Sequence, residues 1–328
     1  MRVIQFAAAF LAWLGRHGTR AVAISVFLGI ALPQLASVLK PYVAEAIFML
    51  LLLAFLRVEP RALAGYFTRP SLVLAATAWM MLVSPAILCV VFKLAGLDQS
   101  MPGLYIALVL QVSGAPIMSA PAFAALMGLD AALSLATLMA CIVVTPLTAP
   151  VFVALFLDAS LAVSPATLAL KLFVLLGGSA FVAWAIRYLA GAEWLDRQRQ
   201  RVDGLSVVTL FVFAIAVMDG VGALFLARPF FILGMIALCF AIALGMMAAT
   251  VLCFAKAGRE HAFALGLSAA NRNVGIMLAA LGSALPDLSW LYMGLAQFPI
   301  YLLPQMLLPL ARRIVARRNS GDSGLPDR

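Results

Sequence analysis

From Ala131 to Leu157 the chain carries no charged side chain. A helix that long reaches about 40 Å, more than the ~30 Å hydrocarbon core of a bilayer. Runs of this kind recur from residue 21 to residue 311. Inside lipid every backbone N–H and C=O must be satisfied by the segment itself or its neighbours, which restricts such a chain to helices or a closed barrel. The runs are too long and too continuously apolar for barrel strands. Composition agrees: 65% of residues are hydrophobic and 11% charged, against about 45–50% and 25% in soluble domains. The expected fold is an all-α integral membrane protein.

Windows of about 20 apolar residues place ten transmembrane helices near 21–39, 42–56, 70–92, 104–128, 131–155, 166–188, 204–221, 229–254, 260–283 and 288–311. The second is short for a span. If the N-terminus is cytoplasmic, all but five of the 22 Lys and Arg fall on the cytoplasmic side. The exceptions are Lys40, Lys93, Lys171 and Arg228 outside, and Arg272 within a span. This asymmetry obeys the positive-inside rule. It places both termini in the cytoplasm and the chain in the plasma (inner) membrane as a multi-pass protein. The net charge of +9 is thereby a topology signal, and nucleic acid is not expected as a partner.

Residues 1–20 are read as an interfacial segment with Trp13 at headgroup level, since Arg16 and Arg20 follow its apolar stretch and no cleavage site is present. A first five-helix repeat then covers 21–158, a second covers 159–311, and 312–328 form a polar cytoplasmic tail. Cys89, Cys141, Cys239 and Cys253 lie in apolar runs without metal spacing, and His17 and His261 lie at segment ends. No metal site and no cofactor is expected. Neither paired aspartates nor a zinc helix nor a Ser–His arrangement occurs within the spans, so the chain is not expected to be an enzyme.

Two spans are interrupted. In "LQVSGAPIMSAPAFAALMGLD", Gly114, Pro116 and Pro121 do not fit one unbroken helix, since each proline lacks an N–H and clashes with the preceding turn. Pro121 fits better as the start of a new half-helix. In "SAANRNVGIMLAAL", Asn271, Arg272, Asn273 and Gly275 lie mid-span. These are the fourth and ninth spans, each the fourth in a set of five, and five being odd the second set is inverted. Broken helices at matching positions of inverted halves point to a transporter's midplane site. Candidate binding residues around the breaks are Gln111, Ser113, Ser119, Ser134, Ser268, Asn271, Arg272 and Asn273. Glu45, near the outer end of the second span, is a candidate gate or proton carrier. Asp130 is read as an N-cap.

Three stretches in this order resemble the bile acid:sodium symporter superfamily: "RPSLVLAATAWMMLVSP" (69–85), "GLDAALSLATLMACIVVTPLTAP" (128–150) and "NRNVGIMLAAL" (271–281). The resemblance implies two inverted five-helix repeats. A core holds spans 3–5 and 8–10, a panel holds spans 1, 2, 6 and 7, and the broken helices four and nine cross. It also marks a departure from the sodium-coupled members. Where they carry sodium ligands, this chain has Met80, Pro121-Ala122, Leu138, Ser268 and Arg272-Asn273, keeping Ser134. The implication is weakened or absent sodium coupling.

A cation at the bilayer centre costs roughly 2.5–3.5 kcal/mol on insertion scales, and an arginine does not escape by losing its proton. Arg272 is therefore expected to act as a built-in cation, held by carbonyls at the crossing, by Ser134 and by Asn271 or Asn273, or else to face the cavity and grip a substrate carboxylate. The expected function is secondary active transport of a small organic anion or metabolite by alternating access. Two alternatives stand beside it: an arsenite-like metalloid efflux carrier, disfavoured because 111–123 contain no Cys, and a non-transporting membrane sensor or scaffold.

Overall fold

The computed structural model describes residues 28–58, 70–157 and 161–322. The interfacial segment expected over 1–20, the first seven residues of the first span and the end of the tail lie outside the described residues. Among the described residues the structure is helical, and its extended pairing is one isolated bridge between Pro116 and Arg272.

The helices in chain order are α1 (Pro33–Arg57), α2 (Pro70–Leu94), α3 (Pro102–Ser113), α4 (Ala120–Leu126), α5 (Ala131–Phe156), α6 (Pro165–Ala190), α7 (Ala192–Ala216), α8 (Val221–Ala227), α9 (Pro229–Cys253), α10 (Arg259–Ala270), α11 (Val274–Leu281), α12 (Asp287–Leu295) and α13 (Gln297–Asp322). Among the described residues six helical stretches are long and apolar enough to cross a bilayer, namely α1, α2, α5, α6, α9 and Asp287–Ala316, which joins α12 to α13, or seven if α7 and α8, bent by 41°, form one span. The chain is thus a multi-pass helical membrane protein in its architecture.

Several expected spans take a different form. The fourth and ninth are each two short helices separated by a break. The seventh starts earlier, at Ala192, and bends before α8. The first and second do not separate at residue 40. Pro33–Arg57 is one helix, and the link expected at 40–41 falls within a 3-10 turn, Lys40–Tyr42, inside it. Pro41 lacks an N–H, but near the start of a tight turn that N–H would have no partner, so the helix runs on. The final helix continues to Asp322, beyond the expected boundary at 311.

Proline and polar caps set the other ends. Pro102, Pro165 and Pro229 begin α3, α6 and α9, where a missing N–H costs nothing. Asp130 caps α5 by accepting from the Leu133 N–H at 2.9 Å, as expected. Pro146 and Pro150 lie inside α5, and Pro304 and Pro309 inside α13, without ending either helix. A π-helical turn occupies Trp79–Val83 of α2, directly before Ser84 and Pro85.

α1, α6 and α7 pack on one another through a cluster of Leu52, Leu53, Leu56, Ala183 and Leu195. α2, α3, α5, α9, α10 and α12 pack around the two breaks, and α11 leans on α1. Large apolar side chains point outward on the surface, among them Leu94 (83%), Leu226 (85%) and Phe230 (87% exposed). A protein in water rarely presents so much apolar area; in a bilayer it contacts lipid.

Candidate functional site

The two interrupted spans meet. Ala115-Pro116-Ile117 runs antiparallel to Asn271-Arg272-Asn273, with Pro116 opposite Arg272. The Ile117 N–H donates to the Asn271 carbonyl at 2.7 Å, and the Asn273 N–H donates to the Ala115 carbonyl at 2.8 Å. Pro116 and Arg272 therefore form the non-hydrogen-bonded pair of the bridge, a position where a proline costs no ladder bond. Irregular backbone at membrane depth persists only when enclosed by protein. Here each break supplies the partner the other lacks.

Arg272 closes the crossing. Its side chain is among the largest fully buried ones, at 1% exposure. Nε donates to the Ala269 carbonyl at 3.1 Å, Nη1 to the Gly114 carbonyl at 3.0 Å and Nη2 to the Ser84 hydroxyl at 3.2 Å. Gly114 is the C-cap of α3, and Ala269 lies in the last turn of α10. The guanidinium thus sits at the C-terminal ends of two half-helices. Each such end carries the equivalent of about −0.5 elementary charge, so two ends oppose roughly the whole charge of one arginine. This explains how the cation is held although no carboxylate pairs with it among the described residues.

The holding set differs from the expected one. The carbonyl partners were anticipated as a class, but the hydroxyl comes from Ser84 rather than Ser134. The π turn just before Ser84 widens α2, and such turns recur at functional positions. Ser134 instead pairs with Ser268 at 2.9 Å, both buried. Asn271 donates from Nδ2 back to the Leu267 carbonyl at 2.9 Å. Asn273 caps α11, accepting from the Ile276 N–H at 3.4 Å. The asparagines flanking Arg272 thus finish one half-helix and start the next.

α5 and α10 are joined twice. Near their starts His261 Nε2 lies 3.3 Å from Asp130 Oδ2. Further along is the Ser134–Ser268 contact. About one turn beyond, Thr137 Oγ1 and Asn271 Oδ1 are buried without a hydrogen-bond partner among the described residues. Thr137 and Ser84 were not singled out in the sequence. The only signal for Ser84 was its place before Pro85.

The remaining candidates fall at different distances from the crossing. Gln111, buried one turn before the break, accepts from the Tyr292 hydroxyl at 2.8 Å. Ser113 is buried and bonds the Val109 carbonyl of its own helix at 2.6 Å. Ser119 is half-buried at the N-cap of α4 without a side-chain cap bond, and Pro121 lies in the first turn of α4, as its chemistry suggested. Glu45 is exposed in the helical turn after Lys40–Tyr42 and does not touch the crossing residues named above. Gly275 is not part of the break, which is confined to 271–273; it lies in the first turn of α11. A Cβ there would stand 2.5 Å from Ile47 Cδ1, so its glycine serves the close approach of α11 to α1.

No family model and no curated protein matches the chain.

Proposed function

We propose that the chain is a secondary transporter of the bile acid:sodium symporter type, built from two inverted five-helix repeats. In this reading it moves a small organic anion or similar metabolite by alternating access between a core around the crossing and a panel of α1, α6, α7 and α8. Arg272 is the built-in cation that takes the place of a coupling sodium. One observation carries the reading. Two broken membrane helices are joined at their breaks, and a single buried guanidinium neutralises the C-terminal ends of both. A scaffold or sensor has no need to place a costly charge and two interrupted helices at membrane depth, whereas a transporter uses such a site as its pivot.

The packing of α1, α6 and α7 on one another supports a panel group beside the helices that hold the crossing. The two groups meet where α6 packs on α5, where α1 and α6 pack on α11, with Gly275 at the α1 contact, and where the bend before α8 meets α12 through Gly294.

Proteoliposomes holding the full chain test the reading. A panel of carboxylates first finds a ligand by thermal shift, and uptake of that ligand is then followed with and without a sodium gradient. The expected result is uptake that does not change with the gradient. Strong sodium dependence overturns the built-in cation; absence of transport for every stabilising ligand overturns the transporter.

A further inference from the structure

A shallow cleft opens between the first turn of α10 and the second half of α13. It is lined by Arg259, Leu310, Arg313 and Ile314. Both arginines are exposed, and neither forms an ion pair among the described residues. Lys256 and Arg312 are close in sequence and add the same sign. The acids at this end are Glu260 and Asp130, and Asp130 faces His261.

Arginines at a span end commonly do no more than set orientation. Two features ask more of this pair. The guanidiniums converge on one cleft although they come from helices that begin far apart in sequence. The cleft also has an apolar floor that continues along the membrane surface. Met306, Leu310 and Arg313 follow helical spacing on one face of α13, and Met306 and Leu310 are 65% and 47% exposed. An apolar stripe therefore runs up α13 and ends at the two guanidiniums. A free phosphate or a small acid would use only the charged end. A molecule carrying a phosphate on an acyl chain uses both, and Arg matches phosphate oxygens with paired donors.

We propose that this cleft binds the headgroup phosphate of an anionic membrane phospholipid, with an acyl chain lying on the Met306–Leu310 stripe. The proposal does not depend on transport. It makes lipid charge a determinant of how α10, which carries one side of the crossing, is held against α13.

The full chain in detergent is titrated separately with phosphatidylglycerol, phosphatidylcholine and inorganic phosphate. Thermal unfolding and the number of lipids retained in native mass spectrometry are read together. Phosphatidylglycerol is expected to raise Tm and be retained, while the other two have little effect. Near a membrane surface each Lys or Arg contributes about a fivefold change in binding to anionic lipid, so Arg259→Gln with Arg313→Gln weakens retention by roughly 25-fold. Arg197→Gln with Arg201→Gln, the same change in charge on the exposed start of α7, leaves it unchanged. Leu310→Asn weakens phosphatidylglycerol retention with both arginines in place. Equal loss in both double variants, an equal shift from phosphatidylcholine, or an equal shift from inorganic phosphate each overturns the site.

Discussion

Pro116 and Arg272 face each other across an antiparallel bridge in which neither donates to the other. The flanking residues make the two bonds, Ile117 to Asn271 and Asn273 to Ala115. The proline keeps α3 from continuing, and the arginine reaches past it to the carbonyl of Gly114 that the break leaves open. One residue creates the orphan acceptor and its opposite number satisfies it.

Removing Arg272 should therefore uncover buried acceptors. In Arg272→Met the carbonyls of Gly114 and Ala269 lose their donor, at about 1–3 kcal/mol for each buried group left unsatisfied. The expected result is a clear fall in Tm for the protein in detergent. Arg272→Lys keeps the charge but lacks the planar fork that reaches three acceptors at once, so it should recover only part of the loss. A Met variant as stable as the parent would show that the guanidinium does not hold the crossing.

The Ser134–Ser268 contact predicts a non-additive pair. Ser268→Ala alone strands the buried Ser134 hydroxyl, whereas in Ser134→Ala the Ser268 hydroxyl keeps its bond to the Ala264 carbonyl at 3.0 Å. The double variant strands neither, because both partners go together. A double-mutant cycle on unfolding should return a coupling of about 1 kcal/mol. Strict additivity would contradict the 2.9 Å hydrogen bond.

The breaks were legible because proline, glycine and charge are costly in a lipid-facing helix, so Pro116 and Arg272 stood out at once. Their pairing was less legible: the bonds that make it are backbone to backbone, and an alanine or isoleucine at 115 or 117 announces nothing. The Arg272 partners illustrate the same limit. Carbonyls follow from physics as a class, but Ser84, 188 residues away in sequence, is found only when α2 is in place. Gly275 was misread because a glycine signals either a break or a close approach, and Ile47, which decides between the two, lies on another helix. The boundary expected between 39 and 42 failed in the opposite sense, where Pro41 lies. A proline marks a turn in many settings, but a 3-10 turn absorbed this one and the helix continued.

The glycines give a graded prediction. A Cβ at Gly222 would collide with the Ile30 carbonyl oxygen, and at Gly294 it would lie 2.7 Å from the Val217 carbonyl oxygen. Backbone has little room to retreat, so alanine at either position should cost about 1–3 kcal/mol, the usual range for overpacking. At Gly275 the obstacle is the end of the Ile47 side chain, so Gly275→Ala should cost less, and Ile47→Val should relieve it. Nothing lies within 4 Å of a Cβ at Gly234 in α9, where alanine should be neutral or stabilising by about 0.5–1 kcal/mol. Ranking the Tm values of the four alanine variants checks the order, and a Gly294 variant no worse than Gly234 refutes it.

Lys40 links three parts of the chain. Its Nζ lies 3.0 Å from Asp219 Oδ2, in the bend between α7 and α8, and 4.8 Å from the centre of the Trp290 ring on α12. The side chains of the ion pair are 39% and 22% exposed, so screening keeps its own contribution below about 1 kcal/mol. The aromatic contact adds about 0.5–1 kcal/mol. Asp219→Asn should thus lower stability only slightly, and high salt should erase most of the difference from the parent. Trp290→Leu removes a different part of the link, and its effect should persist in salt. In the transport reading, α12 and the α7–α8 bend belong to bodies that move apart, so Lys40 must leave Trp290 once in each cycle. Lys40→Met should then change the rate of uptake several-fold while Tm moves little. Equal uptake rates in Lys40→Met and the parent would remove this contact from the transport cycle and leave it as a surface tie.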